Sequence, residues 1–331
     1  RLLDAGAAVR QAAGGALRAM AERGDEQAVA LGLRVLESED GRIRASALEV
    51  LAQVCRLGDE RVIDATVALL EDEDEAVRFA AVKALRQAAE RGDERALAEV
   101  HKRVGHGTGY VRQAAVKALG QLGHQGDEWL TLELVALLED DAWVVRQAAV
   151  EALGLLAERG SRRLCSEVLA RLDHDSDGVR QAAVEAMAQV ATVGDIPTIE
   201  ALSACLHDKQ FGVRGAAVKA LGRVARKGDE RAVAAVRARL EHPKEDVRKA
   251  ASQALAAVGG RSTLSTIMVT AGKGHLANDV PVASSGPLPP QPATLTLGRP
   301  GTNKLRAPPP SALGPRSFAG AVIGAPLGRG R

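Results

Sequence analysis

The chain has 331 residues, 26% charged and 46% apolar with a formal net charge of +2, the profile of a polypeptide that folds in water. Only 2% are aromatic, so the core must be built from Ala, Val and Leu, which suit closely stacked helices better than a sandwich or barrel. No apolar run reaches the roughly 18 residues of a membrane span, and no secretory signal is visible in a sequence that begins at Arg1 in place of Met. Three cysteines without a spacing pattern argue against a disulfide scaffold or zinc module and fit a reducing, cytoplasmic compartment.

In chain order, Arg1-Leu2-Leu3 reads as the end of a helix whose beginning lies upstream. A fixed period then organises everything to about residue 260. Val/Ile-Arg recurs every 34 residues, as Val9-Arg10, Ile43-Arg44, Val77-Arg78, Val111-Arg112, Val145-Arg146, Val179-Arg180, Val213-Arg214 and Val247-Arg248. Alanine stands four residues on each time (Ala47, Ala81, Ala115 and their equivalents), and leucine eight on, with Met187 in one copy. That spacing marks one face of a helix of about fifteen residues, the second of each unit. At the fifteenth position after the Val/Ile stands glycine (Gly24, Gly58, Gly92, Gly126, Gly160, Gly194, Gly228), able to end a helix in a left-handed conformation. Asp, or Ser161 in one copy, follows as the cap of the unit's first helix. That helix closes on Leu36, Leu70, Val104, Leu138, Leu172, Leu206 or Leu240, and a short polar loop leads to the next Val-Arg. Pro197 falls in a first turn and Pro243 in a loop, where a missing N–H costs little. Two such helices cannot bury both apolar faces alone, so the units must stack as an all-α solenoid of about eight repeats.

Segments such as Val111-Arg112-Gln113-Ala114-Ala115-Val116-Lys117-Ala118-Leu119-Gly120 resemble HEAT-like repeats, specifically the short variety named after the phycobilisome lyases. The resemblance implies an armadillo-like, right-handed α-α superhelix over residues 1–260; it implies no single activity, because this scaffold serves adaptors, chromophore lyases and hydroxylases alike. In such repeats the arginine is a ladder element, pairing with acids or loop carbonyls of its own and the adjacent layer. That role falls here on Arg44, Arg78, Arg112, Arg146, Arg180, Arg214 and Arg248, with Asp40, Asp74, Asp175, Asp177 and Asp246 nearby in sequence.

Residues 1–260 hold 36 of the 44 basic and 41 of the 42 acidic side chains, a formal charge of −5 that makes a poor nucleic-acid clamp. The exposed stripe six residues after each Val/Ile alternates in sign. Beside it run Gln113, Gln147 and Gln181. With Lys117, Glu151 and Glu185 these form the expected partner surface, for a protein or peptide bound by a monomeric, non-catalytic scaffold. A bilin-lyase-like enzyme or chromophore-attachment chaperone is the alternative, carried by resemblance alone.

No catalytic, cofactor or metal site is expected. The iron-binding His-Glu pairs of deoxyhypusine hydroxylase are missing, since none of the seven histidines is followed by Glu. His101 and His106 straddle a helix end and a loop with no acid at ligand spacing. Cys55, Cys165 and Cys205 fall on helices of three units and read as small core residues. Gly105-His106-Gly107-Thr108-Gly109 lacks the preceding strand and following lysine of a phosphate cradle, and reads as an inter-helix loop. Trp129 begins a first helix, and Trp143 is expected in a loop; local packing or a partner hot spot suits both. Residues 261–331 hold 11 prolines, 10 glycines and one acid against eight basic residues, and are expected to be a disordered tail. Pro287-Leu288-Pro289-Pro290 within it has polyproline spacing, and the tail's charge is the one route to nucleic acid.

Overall fold

The computed structural model describes Gly15 and residues 22–259; the expected tail, with its proline-rich segment, lies outside them, as does the first Val9-Arg10 copy. The described residues form fourteen α-helices and no strand. Seven first helices, α1 (Glu26–Val35), α3 (Glu60–Ala68), α5 (Glu94–His101), α7 (Glu128–Ala136), α9 (Arg162–Leu169), α11 (Ile196–Ala204) and α13 (Glu230–Arg237), alternate with seven second helices. The latter are α2 (Gly41–Val54), α4 (Glu75–Ala88), α6 (Gly109–Leu122), α8 (Trp143–Leu156), α10 (Asp177–Val190), α12 (Phe211–Val224) and α14 (Glu245–Val258). Each second helix packs on the next to build an α-solenoid, and each first helix lies against its own second helix.

The caps follow the sequence. Asp25, Asp59, Asp93, Asp127, Asp195 and Asp229 each accept a backbone N–H of the following turn, as Ser161 does at 3.5 Å. All seven period glycines have positive φ, between 76° and 90°. Their N–H groups do more than end a helix. Gly24 donates to the Val54 carbonyl at 2.6 Å and Gly126 to Leu156 at 2.7 Å, and the other five repeat the bond. Thus a turn in one layer satisfies a helix-terminal carbonyl in the next, a group that would otherwise need water.

The first helices are shorter than the period suggests. Leu70, Leu138 and Leu206 lie beyond α3, α7 and α11 in one-turn 3₁₀ segments, Leu69–Glu71, Leu137–Glu139 and Cys205–His207, which tighten the chain into the loop while keeping those three leucines fully buried. In the second helices the Val/Ile, the alanine and the leucine of each copy are buried, with Ala47, Ala81, Ala115, Ala149, Ala183, Ala217 and Ala251 completely so. Small side chains here let neighbouring helices approach closely; a Cβ placed on Gly120 of α6 would come within 2.9 Å of the Ala152 Cβ of α8.

No aromatic ring belongs to this core. Phe79, Tyr110, Trp129, Trp143 and Phe211, all the aromatics of the described residues, are 55–80% exposed. Trp143 is the first residue of α8 instead of a loop residue, because every second helix starts two residues before its Val/Ile.

Candidate protein-binding face

The recurrent arginines grip their own loops. From Arg44 to Arg248 one guanidinium nitrogen, Nη1, donates to the carbonyls five and six residues back, as Arg112 does to Gly107 and His106. The glycine-containing loop before α6 therefore turns its carbonyls toward a cation, the reverse of an anion cradle.

Four of the arginines also reach the next layer, three of them through a recurring aspartate. Arg44, Arg112 and Arg180 make two-pronged bonds to Asp72, Asp140 and Asp208, each 28 residues downstream, at 2.7–3.0 Å. These acids differ from those suggested by sequence proximity; of the latter, the Asp246 carboxylate meets Arg214 at 3.4 Å and the Asp175 carbonyl accepts from Arg180 at 3.0 Å. Where the intervening layers would need an Asp stands His106, His174 or His242. Asp and His alike accept the backbone N–H two residues on, so the loop keeps its shape while the two-pronged bond alternates. Arg103 with Glu71 and Arg171 with Glu139, at 2.9 Å, repeat with the same double period. The two-pronged bonds thus mark a double-length module, to which the single bond from Arg214 to Asp246 is added. Burial is the largest single influence and raises the carboxyls of Asp140 and Asp208, but the bonds from Arg112 and Arg180, the backbone N–H groups of Ala142 and Gln210 and the guanidinium charges together outweigh it and hold both below the usual carboxylate range.

On the second helices, the stripe expected to meet a partner is tied within itself. The two carboxylate oxygens of Glu185 accept from Gln147 of α8, at 2.8 Å, and from Gln181 of its own helix, at 3.0 Å. Lys117 and Glu151 stand 3.8 Å apart, and Gln113 is half-buried without joining the network.

Sequence reasoning missed the depression beside this stripe. A groove of about 480 Å³ crosses α4, α6 and α8, with Phe79, Lys83, Arg86, Lys117, Glu151 and Leu155 among its walls and Val82, Ala148 and Ala152 lining it too. A smaller hollow, sharing Phe79, Val82 and Lys117, continues to Tyr110 and Gln113. The Lys83 ammonium sits 4.5 Å from the Phe79 ring centre and the Arg78 guanidinium 5.6 Å from that of Tyr110. Two signals were present in the sequence: Phe79 holds the position that Gln113, Gln147 and Gln181 hold in later copies, and Leu155 interrupts Gln53, Gln87, Gln121 and Gln189.

His101 does meet an acid, across the repeat boundary. Its Nε2 lies 2.5 Å from Glu133 of α7, and its ring 5.4 Å from that of Trp129. The hydrogen bond to Glu133 raises the imidazole above its ordinary value despite partial burial. Among the described residues no group of three or more His, Cys, Asp or Glu could hold a metal ion. Burial pushes all three thiols up, Cys205 to about 12, which leaves them protonated and poor nucleophiles. No helix among the described residues is long and apolar enough to cross a membrane.

Stacked two-helix units, a ladder of loop-gripping arginines and an open face of second helices define a repeat protein of the α-solenoid class. The sequence pattern of HEAT repeats matches five overlapping stretches, 2–86, 33–120, 63–153, 131–222 and 199–268, and the chain belongs to that family. The match is to HEAT repeats at large and does not single out the short phycobilisome-lyase variety. None of the curated proteins matches the sequence. Among solved structures, Escherichia coli YibA is similar at 18% identity over 77% of this chain and 89% of its own, with a TM-score of 0.47. Human deoxyhypusine hydroxylase in complex with glycerol is similar at 20% identity, over 78% and 93%, TM-score 0.31. A designed armadillo repeat protein in complex with a (KR)4 peptide is similar at 22% identity, over 69% and 98%, TM-score 0.31.

Proposed function

We propose that the chain is a non-catalytic scaffold that binds a protein or peptide along the face of its second helices. One observation carries this reading: a chain poor in aromatics keeps all five of the described ones out of its core, and four of them, Phe79, Tyr110, Trp143 and Phe211, stand exposed on second helices. Burying such rings would stabilise a lone solenoid, whereas exposing them in successive layers suits an interface, where aromatic anchors carry much of the binding energy. Gln113, Lys117, Gln147, Glu151, Gln181 and Glu185 supply the polar surroundings of that face. The ladder arginines Arg44 to Arg248 shape the loops, and Arg44, Arg112, Arg180 and Arg214 also join the layers; their role is structural.

Affinity capture on the immobilised chain, followed by mass spectrometry, tests the reading. The same partner should be recovered by the parent chain and by Arg95→Ala, altered on a first helix, and lost when Gln147→Ala, Glu151→Lys and Glu185→Lys are combined. Retention by the triple variant would remove this face from consideration.

A further inference from the structure

We infer that the groove across α4, α6 and α8 receives an acidic peptide segment that carries a large apolar side chain. The inference rests on the second-helix face being the binding surface and specifies where on it, and for what chemistry.

Charge complementarity chooses the sign. Lys83, Arg86 and Lys117 border the groove against one carboxylate, Glu151. Lys83 and Arg86 are exposed, and among the described residues neither has a carboxylate within salt-bridge distance; Lys117 meets Glu151 only at 3.8 Å and is one-third exposed. This concentration of positive charge runs against the net acidity of residues 1–260. Cations left without acids in an otherwise acidic repeat array are available to an incoming carboxylate, and they favour an acidic segment over a basic one both in encounter and in register.

The lining chooses the anchor. Val82, Ala148 and Ala152 are buried, and the two alanines leave depth where longer side chains would fill it. Phe79 and Leu155 rise on either side, both more than half exposed, so an inserted aromatic or branched aliphatic side chain would cover apolar surface now in water. Gln87 and Gln121 line the same space with amides able to bond a peptide backbone. Three helix layers span about 20 Å, the length of about six residues of extended chain.

Fluorescence anisotropy on the full chain tests this with a fluorescein-labelled peptide alternating glutamate with phenylalanine or leucine. Comparison probes are the same peptide with lysine in place of glutamate, one with alanine in place of the apolar residues, and a labelled single-stranded oligonucleotide of similar charge. The acidic apolar peptide should bind best and weaken as sodium chloride is raised. Affinity should fall about ten-fold or more in Lys83→Glu/Arg86→Glu and in Phe79→Ala, whose exposed sites leave the helical circular dichroism and melting temperature unchanged. Equal binding of the lysine peptide, equal or tighter binding of the oligonucleotide, or indifference to both variants overturns the inference. If the peptide fails while partner capture still depends on Gln147, Glu151 and Glu185, the acidic-segment assignment alone falls; if capture is also indifferent, the face itself falls.

Discussion

Arg112 closes a two-pronged bond on Asp140, with Nε 2.9 Å from Oδ2 and Nη2 2.7 Å from Oδ1, while its Nη1 holds two carbonyls of its own loop. One side chain therefore fixes a loop and joins two repeats. Both partners are nearly buried, at 12% and 10% exposure. Arg146, one layer on, holds its loop carbonyls, and the position 28 residues on is His174 in place of an aspartate. Arg112→Ala is expected to destabilise the array by about 2–4 kcal/mol, since it strands a carboxylate as well as two carbonyls. Arg146→Ala should cost measurably less. Urea denaturation of the two variants checks this, and equal midpoints would refute the double-length module.

Ala115 is completely buried at the contact between second helices. Ala115→Leu should overpack that contact and cost about 1–3 kcal/mol. A thermal melt indistinguishable from the parent would mean that the alanine stripe does not set the spacing between layers.

Gly58 separates conformational strain from steric clash. Its φ is +83°, and a Cβ there would meet nothing within 4 Å. Gly58→Ala should therefore lose about 1–2 kcal/mol from the left-handed backbone alone. At Gly92 a Cβ would meet only the ring of His124, the movable end of an exposed side chain, so Gly92→Ala should lose a similar amount. Melting temperatures of the two variants are the measurement, and a far larger loss at Gly92 would show that the His124 ring is held in place.

The pair of His101 and Glu133 makes stability depend on pH in a definite direction. Because the bond raises the folded-state pKa of His101, its contribution is fully present below the unfolded value of about 6.5 and is lost as pH rises through the folded value. The melting temperature should fall as pH rises above about 6.5, and His101→Gln should flatten that part of the curve. A profile unchanged by the substitution would show that the bond contributes no stability.

Much of the fold is legible in the sequence because its determinants are local. Val/Ile, Ala and Leu at helical spacing, Asp caps and a glycine fifteen residues after each Val/Ile specify where helices run and stop, since amphipathic periodicity and capping act within a turn or two of the chain. The constant length of the repeat then dictates stacking, because no unit can bury its own apolar face.

Tertiary structure alone decided what lies across the layers. Arg112 could have paired with any nearby acid, and it selects Asp140 because stacking brings a residue 28 positions away to its guanidinium. His101 finds Glu133 by the same route, and Phe79, Lys83, Arg86 and Leu155 become the walls of one groove only when α4, α6 and α8 lie side by side. Helix and cap depend on neighbours in sequence; cross-layer bonds, the exposure of the five described aromatic rings and the shape of the groove depend on neighbours in space, whose distances follow from packing.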